Sequence, residues 1–220
     1  MNNLGAFFVS QIVIIPLVIG LIRFNRTVSS YQPFLLLLAL AFISESISFI
    51  CIEVLKTSNA IPFNLYGLAE CMVILYQFYV WGFLKRKFRL YIVLAAGLTA
   101  GWVTENLLFA QIENFSPVFR VTYAFIVVLL SINEINYLIV QDNKNLLRNS
   151  RFLICMGFII IFIYQIIYEA SVFVGSDTIL TLKIVFMFNY INAFVNLIYV
   201  LAVLLIPVKT AYYFKKHFEA

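Results

Sequence analysis

The sequence predicts an all-α membrane protein, a single domain over residues 1–220 built from seven transmembrane helices. Two observations carry this expectation. Hydrophobic residues make up 64% of the chain and charged residues only 11%, with a mean hydropathy of +1.00. Soluble domains carry about 25% charged residues, and surface-to-volume scaling leaves a chain of 220 residues too much outer surface to hide so many apolar groups from water. The second observation is periodic. Seven apolar stretches are each long enough to cross a bilayer, which takes about 20 residues, and basic residues mark every second connection between them.

The first stretch, at about 5–23, has no Lys or Arg before it and no small-residue cleavage pattern, so it reads as a spanning helix and not a removable signal. Pro16 inside it is expected to kink it. The second, third and fifth stretches, at about 33–55, 62–84 and 118–140, begin at or beside Pro33, Pro62 and Pro117. Proline is tolerated there because the first turn of a helix has unbonded amide groups anyway. The fourth, at about 88–110, follows a connection so short (Lys85 to Arg89) that helices three and four must be antiparallel neighbours. Its Ala96, Gly97, Ala100 and Gly101 form a small-residue face expected to pack closely on another helix. The sixth and seventh stretches lie at about 152–174 and 180–207.

Orientation follows from charge. Arg23 and Arg26, then Lys85, Arg86, Lys87 and Arg89, then Lys144, Arg148 and Arg151, then Lys209, Lys215 and Lys216 all fall on one side, twelve of the 15 basic residues. Only Lys56, Arg120 and Lys183 fall on the other. The positive-inside rule then places the N-terminus outside and the C-terminus in the cytoplasm. Topology of this kind accounts for the isoelectric point of about 9.1 without a nucleic-acid partner. The basic loops remain available to anionic lipid or to a cytoplasmic partner.

Polar groups inside apolar stretches are the candidate functional residues. By helical rise, Glu45 lies near the midplane, Glu70 roughly 5 Å outward, and Glu105 and Glu169 roughly 9 Å outward. Tyr66 shares a helix face with Glu70, four residues on, and Gln77 falls on that face too. Gln165 precedes Glu169 by four. Asn189, Asn192, Asn196 and Tyr199 form one stripe on the seventh helix. An ionised carboxylate near the bilayer centre costs about 2.5–3.5 kcal/mol, so these groups should face one another or water. The expected arrangement is a polar pocket open to the outside, lined by Tyr66, Glu70, Glu105, Glu169, Asn189 and Asn192, with Asn196, Gln165 and Glu45 deeper in. Its blander alternative is a hydrogen-bond network that only ties the helices together. Lys183 is placed to neutralise Glu169 or Glu105, and is too shallow for a retinal Schiff base.

Cys51, Cys71 and Cys155 lie in apolar stretches and read as packing residues. With His217 as the only histidine and no CxxC pair, no zinc site and no cofactor is expected. The order of three helices, a linker and three helices fits a parallel internal repeat, although the PQ dipeptides of one carrier group with that plan are missing.

The pattern Asn64-x-Tyr66-x-x-x-Glu70 with Asn189-x-x-Asn192-x-x-x-Asn196-x-x-Tyr199 resembles a group of small seven-helix inner-membrane proteins of Bacteroidota-type bacteria. The resemblance implies a multi-pass location in a bacterial inner membrane and brings no activity with it.

An excess of acids over bases in the cluster points to a cation, an amine or a proton. The leading expectation is a transporter or facilitator for a small cationic or amine-bearing solute, with proton coupling open to it. The alternative is a sensor that binds an outside ligand and signals through a cytoplasmic partner. A lipid-modifying enzyme using Glu70 with Glu105 or Glu169 is a further alternative, but the membrane segments hold no His, no Asp and no GxSxG or HExxH motif, so the expectation is no enzyme.

Overall fold

The structure is a computed structural model that describes residues 11–109, 112–141, 145–173 and 178–209. Residues 5–10 of the first predicted stretch, Lys144, and the tail with Lys215, Lys216 and His217 lie outside the described residues. Every named element is helical, and seven helices of ten residues or more occur among the described residues. They are α1 (Ile14–Arg23), α2 (Gln32–Phe49), α3 (Ala60–Trp81), α4 (Phe88–Val103), α5 (Pro117–Gln141), α6 (Ser150–Phe173) and α7 (Thr178–Leu205). Each of the seven apolar stretches contains one of them.

Local chemistry sets their ends. Proline occupies the first turn of α2 and of α5. Gly82 closes α3 at φ +107°, a left-handed conformation that a side chain would resist. Asn149 caps α6 by accepting the amide hydrogens of Arg151 (2.9 Å) and Phe152 (3.5 Å). Pro16 sits in the first turn of α1, directly after the 3-10 turn Gln11–Val13. Both α2 and α4 widen at their far ends into π-type turns, Ile50–Val54 and Thr104–Phe109.

Among the described residues, five spans are long and apolar enough to cross a membrane: Ser29–Val54, Phe88–Phe109, Pro117–Val140, Ser150–Ser171 and Phe186–Leu205. Helix α3 is long enough but is not among them, because Asn64, Glu70 and Gln77 dilute its hydropathy. Nine of its 22 residues are buried, Asn64 and Gln77 among them.

Helices pack mainly against their chain neighbours. The order α5–α6–α7 and the order α1–α2–α3 are each continuous, α1 returns to pack on α7, and α3 also meets α5. Helix α4 packs on α3 and α5 at the edge. The closure is welded at the basic end. Arg23 donates to carbonyls at the end of α7, Val203 (2.6 Å) and Leu204 (2.5 Å), and to Ile206 (3.2 Å) just beyond it, where a helix leaves carbonyls short of intrahelical partners. Thr27 and Val208 form an antiparallel bridge beside it. Gln77 works at this end too: it accepts the Phe34 amide (2.8 Å) and donates to Ser30 O (2.7 Å) at the start of α2, so it does not join Glu70 in a pocket.

A buried aromatic layer lies beside these ties and extends from them towards the other half. Phe34, Phe78, Phe158 and Tyr199 meet edge-on or tilted, with Phe34 and Tyr199 ring centres 5.1 Å apart. The small face on α4 does not pack as expected: added Cβ atoms at Gly97 and Gly101 would meet nothing within 4 Å. The close approach occurs at Gly157 instead, where a Cβ would run into the Tyr199 ring. Gly157→Ala should therefore lower stability by about 1–3 kcal/mol through overpacking. Gly97→Ala should cost nothing. Apparent melting temperatures of the two variants in detergent check this.

Candidate functional site

The half of the bundle away from the basic end encloses a cavity of about 250 Å³. Its wall is formed by side chains of α2, α3, α5, α6 and α7, with Val13 from the turn before α1. Phe158 and Tyr199 form its floor, continuous with the aromatic layer; Phe63, Arg120, Tyr168 and Phe188 stand nearer the helix ends.

Glu70 is the best-defined group in this wall. Tyr66, one helical turn earlier on α3, donates its hydroxyl to Glu70 Oε1 at 2.7 Å. Tyr123 of α5 donates to Glu70 Oε2 at 2.6 Å. Gln165 of α6 in turn donates to the Tyr123 oxygen at 3.0 Å. Each carboxylate oxygen thus has one phenol donor, at the short lengths of charge-assisted bonds. The three contacts join α3, α5 and α6 and hold the carboxylate in one position on the cavity wall.

Seven of the nine residues singled out from the sequence line this cavity: Glu45, Tyr66, Glu70, Gln165, Asn189, Asn192 and Asn196. The asparagine stripe faces inward as its spacing demands, and Asn196 Nδ2 donates back to Asn192 O at 2.9 Å. The other two do not line it. Glu105, in the π-type turn of α4, accepts the amide hydrogens of Val118 (3.0 Å) and Phe119 (2.5 Å). It caps the start of α5, where free N–H groups and the helix dipole favour an anion. Glu169 is buried behind the wall and pairs with Arg120, Nε to Oε1 at 3.0 Å. Lys183 is exposed. The neutralising role expected of it falls to Arg120, which the first turn of α5 turns inward.

Arg120 is the group the sequence reading missed. Counted with the loop charges, it is in fact enclosed, its side chain 13% exposed against 5% for Glu169. Its guanidinium lies over the Phe63 ring, 3.8 Å from the centre. The missed signal was local: Arg120 and Tyr123 are three apart, hence one face of α5. Asn64, part of the quoted pattern, holds structure: it donates to Ile112 O (3.0 Å) and Asn114 O (2.7 Å), pinning the α4–α5 connection.

Two further acids serve elsewhere. Glu53 pairs with Lys56 (3.3 Å) on the surface, and Glu134 with Arg151 (3.6 Å) towards the basic end. Among the described residues no group of three or more His, Cys, Asp or Glu is placed to hold a metal ion. The cavity therefore offers two carboxylates, one arginine balanced from behind, amide groups and aromatic walls. That is a set suited to binding a small polar molecule and lacking a nucleophile poised by a base. No protein family, characterised protein or solved structure matches the chain.

Each phenol on Glu70 should count. Tyr66→Phe and Tyr123→Phe should each lower stability by about 1–2 kcal/mol. Tyr123→Phe should have the larger effect, because Gln165 also loses its acceptor. Denaturation midpoints in detergent, with both variants scored against wild type, test the order.

Proposed function

We propose that this is a multi-pass bacterial inner-membrane protein that carries a small amine-bearing or cationic solute, entering from outside into the cavity beside Glu70. The seven helices would all cross the bilayer, with the N-terminus outside and the C-terminus in the cytoplasm. Five apolar spans support the membrane setting. The burial of Asn64 and Gln77 on α3 supports its crossing with them, since backbone and side-chain polar groups in lipid must be satisfied internally. The gathering of Arg23, Arg86, Arg148, Arg151 and Lys209 at one end supports the orientation. The matching neighbour order of α1–α3 and α5–α7, with α4 set aside, is consistent with two parallel triplets.

The single observation that carries the solute class is the presence of two carboxylates, Glu45 and Glu70, in the lining of one cavity. A negative, enclosed site rewards a cation that replaces the water it excludes. A carboxylate positioned by two phenols also provides a place where a proton can be exchanged for the solute.

A sensor is the second reading, and one observation favours it. The aromatic layer and the contacts of Gln77 and Arg23 seal the cavity from the basic end. A receptor needs no path through that seal, whereas a carrier must open it. Purified protein in liposomes separates the two. Solute flux from the protein alone supports a carrier; saturable binding without flux, with a kinase co-purifying at the basic loops, supports a sensor. In either case Glu70→Gln should abolish binding or uptake while the protein stays folded and inserted. Full activity of that variant would sink the site.

The orientation has its own check. Single cysteines replacing Ser58 and Lys87 should react with a membrane-impermeant thiol reagent from opposite sides, Ser58→Cys in intact spheroplasts and Lys87→Cys only after lysis.

A further inference from the structure

We infer that the solute is a zwitterion, a small apolar amino acid, and that Arg120 receives its carboxylate while Glu70 receives its ammonium. The inference rests on the reading of the cavity as an amine site and adds the other half of the ligand.

The argument starts from what an arginine is doing on that wall. A buried ion pair gives little net stability, because desolvation offsets the attraction, and an apolar pair of similar volume serves as well or better. Arg120 with Glu169 is such a pair, yet it stands at the edge of a cavity and only one partner lines it. Glu169 meets the guanidinium at Nε, and the Phe63 ring covers one face. Among the described residues the terminal nitrogens form no other ion pair. An arginine held flat in this way presents two parallel N–H donors, the geometry that matches a carboxylate. Because Glu169 already balances the charge, the arginine supplies oriented donors without cancelling the pull of Glu45 and Glu70 on an ammonium.

Arg120 on α5 and Glu70 on α3 line the same cavity, and Tyr123, one turn from Arg120 on α5, holds Glu70 by its hydroxyl, so both charged groups face one ligand space. The rest of the wall, with Phe158, Ile161, Phe162 and Phe188, can take an apolar side chain. At about 250 Å³ the cavity is smaller than the range of drug-sized pockets.

The test compares amino acids with the same molecules lacking the carboxylate. Binding of L-leucine and L-phenylalanine, and of 3-methylbutylamine and 2-phenylethylamine, is measured on the full-length protein in nanodiscs. The variants are the double substitution R120Q/E169Q, which removes both members of the pair and strands neither charge, Arg120→Lys, which keeps the charge and loses the fork, and Glu70→Gln. The amino acids should bind wild type about tenfold or more tightly than their amines, about the value of one charge-assisted hydrogen bond. The double variant should erase that preference by weakening the amino acids and leaving the amines unchanged, and Arg120→Lys should show the same loss in smaller degree. Should R120Q/E169Q fail to fold, Arg120→Lys alone decides, since it preserves the ion pair. If amines bind as well as amino acids and neither Arg120 variant changes their ratio, the zwitterion is overturned, while loss of amine binding in Glu70→Gln keeps the amine site standing. If neither class binds wild type, both are overturned.

Discussion

A carboxylate carried into an apolar bundle must find a partner, and the structure is organised by how each glutamate finds one. Glu105 takes the open amides of a helix start, Glu134 and Glu169 take arginines, and Glu70 takes two phenols. These solutions differ in what they leave over. A capped helix end or a closed ion pair leaves nothing to offer a ligand. Two phenol donors leave the carboxyl oxygens with lone pairs still free to accept. Of these four acids, Glu70 alone lines the cavity.

The partition of the bundle follows from the same constraint. Polar side chains gather in the half around Glu70 because each helps satisfy the next: Gln165 orients Tyr123, which holds Glu70, while Asn196 donates to Asn192. Below them, edge-to-face aromatic packing fills the space with groups that need no partner. At the basic end the chain is tied again by polar contacts, Arg23 to α7 and Gln77 to α2. A carrier built this way would have to break the aromatic layer or those ties to release solute inward.

Much of this was legible in the residues. Hydropathy and proline positions marked the helices, since twenty apolar residues in a row have few other solutions. The 3.6-residue period put Tyr66 beside Glu70, and Asn189, Asn192 and Asn196 on one face, because a single helix determines those relations. Depth along each helix was readable too, so the acids expected in one half are found there. Depth does not say which way a side chain points or what waits across the gap. Glu105 and Glu169 stand at the expected level yet serve α5 and Arg120.

The sequence by itself determined the helical segments, the polar faces within them and the end at which the basic residues collect, all properties of one helix or one loop. Only the tertiary structure decided the pairings between helices. It made Tyr123 the second donor to Glu70, drew Arg120 out of the loop charges into the cavity wall, left Lys183 exposed, and moved the close helix contact from Gly97 and Gly101 to Gly157. Each of these depends on the rotation and offset of one helix against another. That choice is made by packing and polar satisfaction over the whole bundle, and no single segment encodes it.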